Sequence, residues 1–94
     1  MPAVVLLELG FCLPESGTLK DKRAVVSSMV RRGAARFGVS VAEVGALDDH
    51  RFGEVAAAVV CSDGGHAEQV LRNLLAFWES NYPIEVGTVR VERR

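Results

Sequence analysis

The residues best suited to chemistry begin with a tight group of cations, Leu19-Lys20-Asp21-Lys22-Arg23, placed where the sequence predicts the start of a helix. Cations in a helix's first turns sit against the positive end of the helix dipole, at a cost of roughly 0.3–1 kcal/mol for each one left exposed. Such a group needs compensation, either from a carboxylate inside the fold or from an anion outside it. The inside candidate is Glu43, which closes the segment Phe37-Gly38-Val39-Ser40-Val41-Ala42-Glu43 and would form a structural ion pair with Lys22 or Arg23. The outside candidate is RNA, met by Lys20 together with Arg31 and Arg32 farther along the same segment. A few such phosphate contacts give a weak, salt-sensitive interaction. The same three residues also suit a plain solvated helix face.

Other groups carry less. Asp48, Asp49 and His50 are adjacent, and three neighbouring residues cannot enclose a metal, so they read as a polar connection. Cys12 and Cys61 show no CxxC spacing and no clustering with His50 or His66, which signals neither a zinc site nor a redox pair. No G-x-S-x-G motif and no cysteine–histidine pairing suggests a nucleophile and its base. The expectation is a non-enzymatic protein with no catalytic residues, no metal and no cofactor.

With 94 residues, 49% of them apolar, the chain is expected to form one domain over residues 1–94 around a modest core. A net charge of −1 argues against a generally basic nucleic-acid binder, yet the charge is segregated. Residues 19–38 hold six cations against Asp21, and residues 39–63 hold five carboxylates against Arg51. The apolar run from Ala3 to Leu7 is too short for a signal segment or a membrane span, so a cytoplasmic location without membrane contact is expected.

The elements that position these residues follow from periodicity. Val4 to Cys12 is an apolar, β-branched run that alternates as a strand, with Val5, Leu7, Leu9 and Phe11 on one face. Thr18 is placed to cap a helix, and Leu19, Val26, Val30, Gly33 and Phe37 form its apolar stripe, bordered by Lys22 and Arg23. Gly38 ends this helix, and Val39 to Leu47 reads as a strand. Glu54 to Ser62 reads as a buried strand, Asp63 caps a second helix that Asn81-Tyr82-Pro83 ends, and Ile84 to Arg93 alternates as a last strand. The order βαββαβ predicts an α+β, ferredoxin-like fold, a four-stranded antiparallel sheet with two helices on one face. Its other face would carry Val4, Leu6, Ala56, Ala58 and Val60, an apolar patch that suggests self-association as a homodimer or higher oligomer. RNA binding on that face in the manner of an RRM is disfavoured, because Glu54 to Ser62 offers no aromatic residue for stacking.

Three segments together, Leu13-Pro14-Glu15, Leu19-Lys20-Asp21-Lys22-Arg23 and Phe37 followed by Val39-Ser40-Val41-Ala42-Glu43-Val44, resemble the YlxP-like bacterial family of small domains of unknown function. The chain departs from that pattern at Gly38, at Thr18 and in the Asp49-His50-Arg51 connection, which lacks an aromatic residue. The resemblance implies a ferredoxin-like domain. It also implies an association with translation or ribosome maturation, hence with ribosomal RNA or a ribosome-associated protein. The competing expectation is a homo-oligomeric module that binds a small ligand or regulates a partner, with no nucleic-acid contact and with the cations serving only the fold.

Overall fold

In the first strand, β1 (Ala3–Cys12), every second side chain is buried, from Val5 through Leu7 and Leu9 to Phe11. That period-two burial marks a strand with one face on the core. The computed structural model describes residues 2–94. After β1 come α1 (Leu19–Phe37), β2 (Ser40–Gly45), β3 (Phe52–Cys61), α2 (Gly64–Asn81) and β4 (Glu85–Arg93). The strands form one antiparallel sheet in the order β2-β3-β1-β4, and both helices lie over the face that carries Val5, Leu7 and Leu9. This is the ferredoxin-like α+β fold that the sequence predicts.

Local chemistry sets the helix ends. The Thr18 hydroxyl accepts from the Asp21 backbone N–H at 3.0 Å, and Gly38 takes the left-handed conformation, φ 64°, while its N–H closes on the Ala34 carbonyl. Glycine enters that conformation without the Cβ clash other residues meet. At α2 the Asp63 carboxylate accepts from the Gly65 and His66 N–H groups at 2.8 and 3.3 Å. That bond set satisfies the helix start and places a negative charge where an anion would otherwise bind.

The two helices meet closely because Gly33 has no side chain. A Cβ there would come within 2.9 Å of Leu74 Cδ1 and 3.1 Å of Trp78 Nε1. Trp78, wholly buried, uses this approach to donate its indole N–H to the Met29 carbonyl of α1 at 3.0 Å. A buried indole N–H requires such a partner.

Boundaries differ from the sequence reading by one residue at several strand ends and by two at the end of β2 and the start of β3. β2 stops at Gly45 because Ala46 adopts φ 55°, a conformation that cannot continue a strand. β3 starts at Phe52, two residues early, and so gains an aromatic side chain on the sheet's open face that the sequence reading assigns to the connection. The α1 stripe also includes Met29, fully buried, while Val30 lies only half-buried at its edge. Cys12 and Cys61 are free and sit at opposite ends of the β1–β3 ladder, where the register pairs Cys12 with Phe52 and Ala3 with Cys61.

Candidate nucleic-acid interface

Lys22 lies on the inward line of α1 with Val26, Met29 and Gly33, and its side chain is completely buried. Successive positions three and four apart on a helix share a face, so Lys22 continues the apolar stripe rather than bordering it. It is tolerated because the stripe's first turn overhangs the end of β2, where polar acceptors await it. The Lys22 ammonium donates to the Ala46 carbonyl and stands 3.5 Å from Glu43 Oε2. Glu43 shares the helix-facing side of β2 with Val41 and is about one-quarter exposed. A buried ammonium without partners would be very costly, and here one carbonyl and one carboxylate answer it. Arg23 is exposed and makes no ion pair among the described residues.

The other α1 cations, Lys20, Arg31, Arg32 and Arg36, are exposed as well. Among the described residues the remaining ion pairs all use arginines of β4 and the C-terminus: Arg90 and Arg94 with Glu92 at 3.3 and 2.9 Å, and Arg93 with Glu68 of α2 at 2.7 Å. The exposed cations of α1 therefore form a surface without carboxylate compensation. The 3.6-residue repeat divides it in two. Lys20 and Arg31 fall on the outermost line, roughly 16 Å apart along the axis, while Arg32 and Arg36 fall one turn apart on the flank toward α2.

On that flank the guanidinium groups rest on aromatic rings. The Cζ of Arg32 lies 5.3 Å from the centroid of Phe77 and 5.9 Å from that of Tyr82, and the Cζ of Arg36 lies 5.1 Å from Phe77 and 5.9 Å from Phe37. These distances are within cation–π range. The rings also meet edge-on, Phe37 with Phe77 at 5.7 Å and Phe77 with Tyr82 at 6.2 Å. Sequence reasoning missed Arg36, Phe77 and Tyr82. The spacing of Arg32 and Arg36 was an available signal, but the rings belong to the end of α2 and reach α1 only through the tertiary fold.

The open sheet face has a different character. Val4 opposite Val60, Leu6 opposite Ala58 and Cys12 opposite Phe52 make it largely apolar, with Phe52 54% and Val60 68% exposed. Glu8 and Glu54 line a shallow depression of about 250 Å³ on it, with Arg90 and Thr88 on the far side. Two carboxylates beside a lone aromatic residue do not suit a phosphate backbone. In the β2–β3 connection, Asp49 Oδ1 accepts from the N–H groups of Arg51 and Phe52 at 2.8 and 3.0 Å, which closes the turn. Those two backbone bonds hold the Asp49 carboxyl below its ordinary pKa.

With this geometry in place, comparison with known proteins identifies the lineage. A family described as "Protein of unknown function (DUF503)" matches residues 4–91. The chain belongs to this family. It is 35% identical over 78 residues to the "Uncharacterized protein YlxP" of Bacillus subtilis (strain 168), spanning 83% of this chain and 85% of that one. The YlxP-like character carried by the helix-start and strand motifs is thus established over most of the DUF503 domain. Among solved structures, the de novo designed protein Foldit4 superposes with a TM-score of 0.54 at 16% identity, covering 100% of this chain and 97% of that one. A VAO-type flavoprotein of Myceliophthora thermophila C1 matches with a TM-score of 0.51 at 19% identity, covering 98% of this chain but 16% of its own. At such identities these two likenesses speak to fold alone. No helix among the described residues is long and apolar enough to cross a membrane.

Proposed function

We propose that this DUF503 member is a non-enzymatic accessory protein of translation or ribosome maturation that contacts RNA or a ribosomal component through the exposed face of α1. The observation that carries the reading is that, among the described residues, Lys20, Arg31 and Arg32 have no carboxylate partner, when the arginines of β4 and the C-terminus are all paired. Unpaired cations keep their full attraction for phosphate, whereas paired ones must first give up a carboxylate. The small residues Ala24, Ser27 and Ala35 on the same exposed side leave these cations unobstructed. A gel-shift titration with structured RNA at two salt concentrations tests the reading. Three phosphate contacts give a loss of roughly 20- to 40-fold between 50 and 200 mM salt. A Lys20→Ala/Arg31→Ala/Arg32→Ala variant loses most of the binding; no binding at low salt, or binding unchanged in the variant, removes the reading.

A second feature supports self-association. The open sheet face carries Val4, Val44, Phe52 and Val60, each 38% exposed or more, beside half-buried Leu6, Ala56 and Ala58. A monomer seldom leaves such a patch to water. In the proposed assembly two copies join through these faces, and because the helices lie on the opposite side of each sheet, both α1 surfaces stay outward. The same patch supports the competing reading of a homo-oligomeric regulatory or small-ligand module, which has no RNA contact and is separated by the same titration.

A further inference from the structure

We propose that Arg32 and Arg36, both within cation–π distance of Phe77, form a preorganised clamp for one phosphodiester group of RNA at the seam between α1 and α2. The proposal rests on the RNA reading and deepens it by naming its strongest contact. Like charges four residues apart on a helix repel each other, and no carboxylate among the described residues pairs with either arginine. Both guanidinium groups nevertheless converge on one ring, at 5.3 and 5.1 Å. Cation–π attraction draws a guanidinium to a ring without consuming its N–H donors, of which it has five in a fixed fork. Arg32 commits one of these to a long bond of 3.4 Å with the Tyr82 hydroxyl, which in turn is fixed at 2.8 Å from Ser28 Oγ. The ring contacts of both arginines and the Tyr82 bond of Arg32 restrict these side chains before any ligand arrives, so binding has less freedom to remove.

The ground beside Arg36 suits a backbone phosphate. A shallow groove of about 440 Å³ runs along the seam past Arg36, Phe37, Asn73, Phe77, Ser80 and Asn81, and no acidic side chain lines it. Asn81 is anchored by its own bond to the Phe77 carbonyl at 2.8 Å, which keeps the groove's end in shape. Lys20 and Arg31, on the outermost line of α1, have no such support and act as secondary contacts. Arginine rather than lysine at positions 32 and 36 is the distinguishing requirement, because only the planar fork both stacks on a ring and grips two phosphate oxygens.

The experiment is a fluorescence-anisotropy titration of a labelled hairpin RNA with the full chain at one fixed salt concentration. An Arg32→Lys/Arg36→Lys variant keeps the charge and the fold but loses the fork, and its affinity is expected to fall about tenfold. Lys20→Gln/Arg31→Gln and Arg32→Gln/Arg36→Gln each remove the same charge, and the second is expected to lose several-fold more. Thermal melts of all variants establish that they are folded. Binding by the lysine variant equal to that of the parent overturns the clamp while leaving the RNA reading intact, as does equal loss in the two glutamine variants. Failure of the parent chain to bind overturns both.

Discussion

At the scale of single residues the fold hinges on a buried cation. Lys22 has no solvent to turn to and no second ion pair among the described residues, so Glu43→Gln is expected to cost about 1 kcal/mol by removing the charge from its partner. Lys22→Ala removes a packed stem and the donor to Ala46 together, and is expected to cost about 3 kcal/mol. Urea denaturation of both variants measures the two losses, and a silent Glu43→Gln would mean that the Ala46 carbonyl alone satisfies the ammonium. Part of this arrangement was legible beforehand: strand alternation groups Glu43 with Val39 and Val41, and the topology brings the end of β2 to the start of α1. Which cation reaches it was not legible. Lys22 and Arg23 are sequence neighbours about 100° apart on the helix, and only the line on which α1 settles over the sheet decides between them. The same limit hid the Phe77 contacts of Arg32 and Arg36, since rotation and shift of α2 against α1 are tertiary quantities.

At the scale of elements, several joints are made by carboxylates whose pKa values lie below the ordinary range. Glu68 ties α2 to β4, held down by its bond to Arg93, and Glu92 is held down by Arg94 and then Arg90. Asp49 closes the β2–β3 turn through two backbone N–H groups. In each case the folded state binds the proton less readily than the unfolded chain. Their stabilisation is therefore present above the ordinary values of 3.8 for Asp49 and 4.5 for Glu68 and Glu92, and is lost as pH falls through the lower folded-state values. An Asp49→Asn/Glu68→Gln/Glu92→Gln variant is expected to show a Tm that changes less with acidification below about pH 4 than that of the parent. Differential scanning calorimetry across that range checks it, and parallel Tm–pH curves would refute it. The elements themselves were the most legible level, because period-two and period-3.6 patterns survive any tertiary context. Their ends were less so: Ala46 left β2 early through a backbone conformation that alanine rarely adopts, and nothing in its residue type announced it.

At the scale of the whole molecule, the sheet divides the protein into a basic helical side and an open side where exposed apolar residues lie beside Glu8, Glu54 and Arg90. Val60, 68% exposed on the open side, contributes little to the monomer's own core. Val60→Glu is therefore expected to leave Tm nearly unchanged while lowering the sedimentation coefficient to that of a single chain; a parent already monomeric at micromolar concentration would remove the self-association reading. Trp78 offers a way to watch the opposite side. It is the chain's one tryptophan, and it sits wholly buried with its indole N–H on the Met29 carbonyl of the helix that carries the arginines. Its emission consequently comes from a single known environment and needs no label or added dye. Any ligand that pries the helices apart shifts that emission toward longer wavelength, and a ligand that only settles onto their surface leaves it still.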